Sequence, residues 1–218
     1  MTDTDRTEHE KQAAAEAAAA LVRDGMLVGL GTGSTVAHLL PALAARRLAI
    51  RCVATSPATE QAARELGLAV EPFEQLDRLD LAIDGADQVA PDGWIVKGGG
   101  GAHTREKVVA SAADRFVVIA SSDKLVQRIE PPVPVELLRF GLAATLRRLE
   151  HVVVRDAPAS PDGGVIADWT GPVGELAALA GRLAGTCGLV EHGLFPPGLV
   201  SVLLVARGDQ VEHRTFSD

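Results

Sequence analysis

The order of apolar and helical segments constrains the fold of this chain more than any other feature. Strands are predicted over residues 26–30, 50–54, 68–70, 80–83 and 116–120. Helices are predicted around them over residues 8–24, 35–46, 58–66 and 104–113, the first of which stops before Gly25. Strands that alternate with helices of this length pair in parallel, and the helices cover both faces of the sheet. The sequence therefore predicts an α/β fold built on a parallel sheet.

The pattern changes after the prolines at positions 131, 132 and 134, which remove hydrogen-bond donors and favour extended backbone. We interpret this stretch as a link between domains. Beyond it, the predicted elements are helix 138–149, strand 152–155, strand 165–168, helix 174–184 and strand 188–192. This order predicts a second, smaller α+β domain of ferredoxin-like type over residues 132–204. Residues 1–131 and 205–218 are assigned to the larger domain, and residues 200–206 are expected to return the chain to its sheet.

Charge and composition argue against several classes of function. The 218 residues carry a net charge of −8, and no arginine-rich stripe is present, which argues against a nucleic-acid groove. The polar, acidic start of the chain does not resemble a signal peptide, and no apolar run is long enough to cross a bilayer. Cys52 and Cys187 lie in apolar stretches and are predicted to be buried free thiols. We therefore expect a soluble, cytoplasmic protein without nucleic-acid or membrane partners.

Carboxylates, a lysine and a glycine loop lie close together in the middle of the chain. Asp84 and Asp87 follow the apolar strand 80–83, and Lys97 precedes four glycines at 98–101. Glu106 falls in the first turn of the next predicted helix, where the helix dipole stabilises a carboxylate. Together with exposed backbone N–H groups, these are the groups needed to move a proton beside a developing oxyanion. The pattern indicates a catalytic site at the carboxyl end of the strand.

Each of these features also has a structural explanation. Asp residues in turns commonly bond to nearby amides, and a carboxylate pair could hold a metal ion, although Lys97 would compete for Asp84 and Asp87. The four glycines could form a flexible linker, and Glu106 could be an ordinary residue of a helix start. We favour the site, because a flexible linker is not expected inside a compact domain. His103, adjacent to the loop, is expected to pack or cap.

A second glycine-rich loop, residues 29–35, follows a predicted strand and opens a helix. Its helix N-terminal amides and its hydroxyl groups at Thr32, Ser34 and Thr35 can hold a phosphate. The alternative is a tight turn in which Ser34 is the N-cap. The loop departs from the dinucleotide fingerprint and lacks the lysine of a P-loop, so a compact phosphate fits better than a nucleotide. The next loop, residues 55–59, is explained by a Ser or Thr cap before a helix and receives only a supporting role.

Taken together, these segments resemble the A-type ribose-5-phosphate isomerases almost from end to end. The resemblance rests on Gly31-Thr32-Gly33-Ser34-Thr35, Asp84-Gly85-Ala86-Asp87, Lys97-Gly98-Gly99-Gly100, Thr104-Arg105-Glu106-Lys107, Pro134-Val135-Glu136 and, more weakly, Gly193-Leu194-Phe195. It implies a Rossmann-like large domain, a small α+β domain, and a homodimer or homotetramer. It further implies that D-ribose 5-phosphate and D-ribulose 5-phosphate are interconverted without a metal or organic cofactor, in the non-oxidative branch of the pentose phosphate pathway.

The resemblance also implies the role of each site residue. Glu106 is expected to be the general base that moves a proton between C1 and C2, while Lys97 and the loop amides stabilise the enediolate oxygen. Asp84 and Asp87 are expected to hold sugar hydroxyls and to assist opening of the furanose ring. The substrate-binding residues are then Lys11, Thr32, Gly33, Ser34, Thr35, Gly98, Gly99, Gly100 and Lys124.

Three other functions remain as minority interpretations. An amino-sugar-phosphate isomerase or deaminase on the same fold would need a different general-base arrangement, which we do not find. A sugar-phosphate sensor, the effector domain of a regulator, should carry a helix-turn-helix and a basic face, and the short acidic N-terminus offers neither. A nicotinamide dehydrogenase requires the full dinucleotide loop and an acidic residue about 20 positions further on, where residues 51–53 stand instead.

Overall fold

Residues 2–216, the part of the chain that the computed structural model describes, form six α-helices and fourteen strands in three sheets. The helices are α1 Asp3–Ala19, α2 Ser34–Ala45, α3 Pro57–Glu65, α4 His103–Ser111, α5 Leu142–Leu149 and α6 Leu176–Ala184. The strands are β1 Leu27–Leu30, β2 Arg51–Ala54, β3 Ala69–Val70, β4 Leu81–Gly85, β5 Gln88–Val89, β6 Ile95–Val96, β7 Phe116–Ser121, β8 Val133–Leu137, β9 Val152–Val154, β10 Val165–Trp169, β11 Leu189–His192, β12 Leu194–Phe195, β13 Val202–Arg207 and β14 Gln210–Thr215.

The large sheet confirms the predicted α/β fold. Its strand order is β14-β13-β7-β4-β1-β2-β3, and every neighbouring pair is parallel except β13 and β14. Residues of α1 and α2, such as Ala14 and Leu39, pack on one face of the sheet, and Val109 of α4 packs on the other. Because both faces are covered, β1, β4 and β7 are almost continuously buried. β13 returns the chain to this sheet, as predicted, and begins before the predicted boundary at residue 205.

Strand register places three loops at one edge of the large sheet. Leu30, the last residue of β1, lies opposite Ala54 of β2 and Ile83 of β4. The segments that follow these residues therefore emerge side by side, at the carboxyl ends of parallel strands where ligands bind in such folds. They are residues 31–35, 55–59 and 84–87.

The first helix begins and ends earlier than predicted. A capping box between Thr2 and Asp5 starts α1 at Asp3, because each of the two residues bonds the other's backbone N–H group through its side chain. The helix ends at Ala19 rather than at residue 24. Gly25 does adopt a left-handed conformation, with φ of 80°, but it lies in the turn before β1.

The second sheet is antiparallel, has the order β11-β8-β10-β9, and is covered by α5 and α6. Its chain order, strand–helix–strand–strand–helix–strand, is that of a ferredoxin-like unit. The sequence interpretation missed β8, which contains Pro134 and lies between two other strands. Prolines are uncommon in central strands, so the segment was assigned to a link and the following helix was predicted to begin too early. The division of the chain into two domains remains a prediction.

A third sheet, β12-β6-β5, connects the two larger ones. β6 ends at Val96, and the next residue, Lys97, donates its backbone N–H group to Gly193 O at 2.9 Å. The chain around the small sheet thus holds the segment that leads into the glycine loop. Within residues 2–216, no helix has both the length and the hydropathy of a transmembrane segment.

The two cysteines are free thiols, as predicted, but only Cys52 is buried. Cys187 is exposed because it lies in the turn between α6 and β11 rather than within an element. The prediction that both thiols are buried is therefore wrong for Cys187.

Candidate active site

Asp84 joins two of the loops at the carboxyl edge of the large sheet. Its Oδ1 atom accepts hydrogen bonds from Thr32 N at 3.2 Å and from Gly85 N at 2.7 Å. Gly31 packs so closely on this carboxyl group that a Cβ atom at position 31 would overlap Asp84 Cγ. The glycine at position 31 is therefore needed for the carboxylate of one loop to reach the backbone of the other.

Lys97 lies at the centre of a buried charged cluster. Its Nζ atom is 2.9 Å from Asp84 Oδ2 and 3.2 Å from Glu106 Oε2, and it donates to Gly85 O at 2.7 Å. The side chains of Lys97, Asp84 and Glu106 are each less than 5% exposed. The ring of Phe195 packs on the same ammonium group, with its centroid 5.8 Å from Nζ. The structure thus brings together three of the four predicted catalytic side chains as one ammonium group between two carboxylates.

Burial and, after it, the neighbouring charges shift the pKa values of all three groups in this cluster. Burial and, to a smaller extent, the charge of Asp84 raise the pKa of Glu106 to about 8, against the opposing effect of Lys97. Burial also raises the pKa of Asp84. Burial alone would lower the pKa of Lys97, but the charges of Asp84 and Glu106 raise it above its usual value. Lys97 therefore stays charged, and Glu106, with a pKa of about 8, can take up and release a proton near neutral pH.

The glycine loop closes one side of the cleft and is bonded to the fourth predicted catalytic residue. Asp87 Oδ2 accepts a hydrogen bond from Gly99 N at 2.7 Å, and Gly101 N donates to Gly98 O at 3.0 Å. Gly98 adopts φ of 103°, a conformation that side-chain-bearing residues rarely adopt. Among the residues that the structure describes, the N–H groups of Gly98 and Gly100 have no acceptor. The loop therefore offers free N–H groups beside Lys97 and Glu106.

The opposite end of the cleft is a helix N-terminus. α2 starts after Gly33, which is the N-cap with φ of 125° and provides no side-chain cap, so the alternative in which Ser34 is the N-cap is wrong. The hydroxyl of Thr32 is 2.8 Å from Thr55 Oγ1 and 3.3 Å from Thr59 Oγ1. This hydroxyl network ties the first loop to the loop 55–59, whose predicted cap is confirmed with Ser56 as the N-cap before Pro57. The first turn of α2 is thus open towards the cleft.

The cleft between the two ends has a volume of about 90 Å³. It is lined by Thr32, Gly33, Ser34, Thr35, Gly85, Ala86, Asp87, Lys97, Gly98, Gly99, Gly100, Glu106 and Lys124. Of the predicted site residues, Asp84 lies directly behind this lining, against Lys97. Lys11 does not line the cleft, since its Nζ atom pairs with Glu8 Oε1 at 2.6 Å on α1. The cleft thus collects residues from the loops after β1, β4, β6 and β7.

Two residues near the loop add to what the sequence analysis proposed. His103 is fully buried, its ring packs against Gly98, and its Nε2 atom is 3.3 Å from Glu191 O, which agrees with a packing role. Burial lowers the pKa of His103 to about 4, so the ring is neutral. Arg155 contacts the carbonyl oxygens of Gly98 and Gly99 and was not singled out from the sequence. No local pattern indicates this contact, because Arg155 lies far along the chain beside an ordinary strand.

Comparisons with known proteins point to one family. The family model for ribose 5-phosphate isomerase A (phosphoriboisomerase A) matches residues 51–210. Ribose-5-phosphate isomerase A of Chloroflexus aurantiacus is 42% identical to this chain, with 99% of this chain and 97% of the relative covered. The crystal structure of ribose 5-phosphate isomerase A from Neisseria gonorrhoeae superposes with a TM-score of 0.91 at 29% identity, covering 96% of this chain and 97% of the other. A D-ribose-5-phosphate isomerase in complex with phospho-erythronic acid superposes with a TM-score of 0.90 at 28% identity, covering 96% and 99%.

Proposed function

Because the chain belongs to the ribose 5-phosphate isomerase A family and is an aldose–ketose isomerase, we propose that Glu106 is its general base. In this proposal Glu106 removes the proton from C2 of open-chain ribose 5-phosphate and returns it to C1. A second proton passes from O2 to O1, so that the aldehyde at C1 becomes a hydroxymethyl group and C2 becomes the ketone of ribulose 5-phosphate. The intermediate is an enediolate.

One observation carries this proposal: a carboxyl group and an ammonium group stand side by side in a buried site. Glu106 Oε2 is 3.2 Å from Lys97 Nζ, and both line the cleft. The C2 proton of an aldose is weakly acidic, so its removal needs a base whose pKa lies near the working pH and a positive group near the developing negative oxygen. With a pKa of about 8, Glu106 meets the first requirement, and Lys97 with the free loop amides meets the second.

The other site residues fix the substrate around this pair. We propose that Asp84 and Asp87 hold sugar hydroxyls and assist opening of the furanose ring. Asp87 is bonded to Gly99 N and faces the cleft, whereas Asp84 is already bonded to Thr32 N, Gly85 N and Lys97. Asp87 is therefore the better placed of the two to reach the substrate, and Asp84 in addition holds Lys97 charged and in place.

The far end of the cleft suits the phosphate group. The first turn of α2 carries no side-chain cap, and a helix N-terminus with free N–H groups attracts anions. The side chains of Ser34 and Lys124 line the same end. We propose that Gly33, Ser34 and Thr35 bind the phosphate with Lys124, and that Thr32 positions the loop through its bonds to Thr55 and Thr59. Direct contact of Lys11 with the substrate remains a prediction.

The biological setting follows from the reaction rather than from the geometry. We propose that the protein works in the cytoplasm, in the non-oxidative branch of the pentose phosphate pathway, without nucleic-acid or membrane partners. Assembly into a homodimer or homotetramer, and the absence of a metal or organic cofactor, remain predictions.

The proposal is tested by the rate of ketose formation from ribose 5-phosphate in the presence of EDTA. Glu106→Gln keeps the shape of the side chain but removes the base, and kcat should fall by roughly 10²–10⁴-fold. Glu65→Gln, which alters an exposed glutamate at the end of α3, is the matched control and should retain full activity. Full activity of Glu106→Gln would remove Glu106 from its proposed role.

A further inference from the structure

A single guanidinium group binds two carbonyl oxygens of the glycine loop. Arg155 directly follows β9 of the second sheet, and its Nη1 atom donates to Gly98 O at 3.0 Å and to Gly99 O at 3.1 Å. It is the only side chain that bonds these two carbonyl oxygens among residues 2–216. Arg155 thereby links the second sheet to the glycine loop that forms one wall of the cleft.

Asp168 holds this guanidinium in a fixed orientation. Arg155 Nε donates to Asp168 Oδ2 at 2.7 Å, and Arg155 Nη2 donates to Asp168 Oδ1 at 2.6 Å. Asp168 lies on β10, which pairs with β9. Both side chains are about four-fifths buried, with 21% and 19% of their surfaces exposed. A bidentate pair of this kind fixes the plane of the guanidinium, which a lysine could not reproduce.

The bonds to the loop determine where its N–H groups point. In a trans peptide group, the C=O and N–H bonds point in opposite directions. The group between Gly98 and Gly99 is held at both ends, because its oxygen accepts from Arg155 and its N–H group donates to Asp87 at 2.7 Å. The group between Gly99 and Gly100 is held only by its oxygen. Its N–H group, that of Gly100, therefore faces away from Arg155 and has no acceptor among the described residues, and Gly100 lines the cleft.

We propose that Arg155, held by Asp168, is a positioning residue that directs the Gly100 N–H group at the oxyanion of the enediolate. This inference deepens the proposed function and rests on it for the identity of the anion. Consecutive glycines have more backbone freedom than any other residues, so an unrestrained loop would hold the donor in the required direction only part of the time. A preorganised donor stabilises the transition state because it needs no rearrangement when the negative charge develops. Bonding of its carbonyl oxygen to a cation also strengthens the peptide N–H group as a donor.

The test compares two ligands in wild-type protein, Arg155→Ala, Asp168→Asn and a control. Phospho-erythronic acid carries a carboxylate at one end, which mimics the charged oxygens of the enediolate, and a phosphate at the other. Inorganic phosphate can occupy only the far end. The control is Arg78→Ala, because Arg78 forms a bidentate pair with Asp114 that is exposed and remote from the cleft. Dissociation constants are measured by calorimetry, together with kcat, KM and the melting temperature.

The proposal predicts that Arg155→Ala raises the dissociation constant of phospho-erythronic acid roughly 10–100-fold, because one hydrogen bond to an anion is lost. The dissociation constant of inorganic phosphate should stay within about twofold of the wild-type value. The fall in kcat should be of similar size with little change in KM, and added guanidinium chloride should restore part of it. Asp168→Asn, which keeps the side-chain shape, should raise the ratio of the dissociation constant of phospho-erythronic acid to that of inorganic phosphate by about tenfold. Arg78→Ala should leave both constants and kcat unchanged.

The dissociation constants do not depend on which residue is the general base. The positioning role of Arg155 and the general-base role of Glu106 can therefore be rejected independently of each other. The positioning role would be overturned if both ligands bound equally more weakly in Arg155→Ala and Asp168→Asn, or if neither ligand bound more weakly. A changed ratio together with a fully active Glu106→Gln would keep Arg155 in this role and reject Glu106 as the base. If Arg155→Ala does not fold, the ratio in Asp168→Asn decides the matter.

Discussion

The two ends of the cleft handle negative charge by different means. At the buried end, Lys97 meets Asp84 and Glu106 with almost no exposure to water. At the open end, backbone amides and hydroxyl groups of the first turn of α2 are partly open to solvent, and Lys124 lies at the rim with a third of its side chain exposed. Charges interact strongly at the buried end, where water is excluded, and weakly at the open end, where solvent screens them. The buried end therefore suits a carboxyl group that takes up and releases a proton, and the open end suits an anionic group that does not react.

The largest expected difference between the two ends is the effect of removing a lysine. Lys97→Met leaves two buried carboxylates without a positive partner, so the free energy of unfolding should fall by about 3–5 kcal/mol and isomerase activity should be lost. Lys124→Met at the open end should change the stability by no more than about 0.5 kcal/mol and should mainly raise KM. Urea unfolding and steady-state kinetics measure both quantities. Similar stability losses in the two variants would contradict the contrast.

Close packing behind the charged cluster gives the next largest effect. Gly31→Ala introduces a methyl group where Asp84 Cγ lies, so the carboxylate must move away from Thr32 N. We expect a loss of about 1–3 kcal/mol in unfolding free energy, with a fall in kcat as Lys97 loses its position. Gly181→Ala, on α6 with open space around its Cα atom, is the control and should be neutral or slightly stabilising. An unchanged kcat in Gly31→Ala would show that Asp84 need not hold its present position.

The raised pKa of Glu106 makes activity and stability respond to pH in opposite directions. The ionised base is the active form, so kcat/KM should rise with pH and level off above about 8. A folded-state pKa above the unfolded value stabilises the fold fully below the unfolded pKa, and this contribution is lost as pH rises through the folded pKa. Stability should therefore fall between about 4.5 and 8, by at most about 1.4 kcal/mol per pH unit. Denaturant titrations across this range should show the slope in the wild type and a reduced slope in Glu106→Gln.

The smallest expected effect belongs to the open end. Ser34→Ala removes one hydroxyl from the first turn of α2 but leaves its backbone N–H groups in place. The KM for ribose 5-phosphate should rise roughly 3–10-fold with kcat unchanged, as expected for the loss of one hydrogen bond that is equally strong in substrate and transition state. Ser111→Ala, at the exposed end of α4, is the matched control. A fall in kcat without a change in KM would place Ser34 in the reacting end instead.

The large sheet and the site on it could be predicted because their signals are local. Apolar strands that alternate with helices indicate parallel pairing, and the loops after successive parallel strands meet at one edge. Asp84, Lys97 and Glu106 could be grouped before any distance was known because they lie close together in the sequence, next to a predicted strand end. The start of α1 was missed because the capping box lies outside the apolar pattern, and β8 was missed because Pro134 resembles a breaker.

The remaining features depend on contacts between distant segments. Arg155 reaches Gly98 across 57 positions of sequence, and neither residue carries a pattern that indicates the other. The raised pKa of Glu106 likewise depends on a distant contact. It results from burial of the Glu106 side chain, and this burial follows from packing of α4 against the large sheet. The exposure of Cys187 depends on where α6 ends. Sequence patterns thus predicted which residues lie together at the buried end, but not Arg155, which bonds the glycine loop beside it.

The most direct test of the account is a proton NMR time course of ribose 5-phosphate in D₂O with EDTA, with wild-type protein beside Glu106→Gln. The account predicts that the wild type forms ribulose 5-phosphate with solvent deuterium at C1, because the proton on Glu106 can exchange while the enediolate exists. Glu106→Gln should form the ketose and the deuterated carbon roughly 10²–10⁴ times more slowly. Ketose formation at the wild-type rate in Glu106→Gln, with the original hydrogen retained at C1, would contradict it.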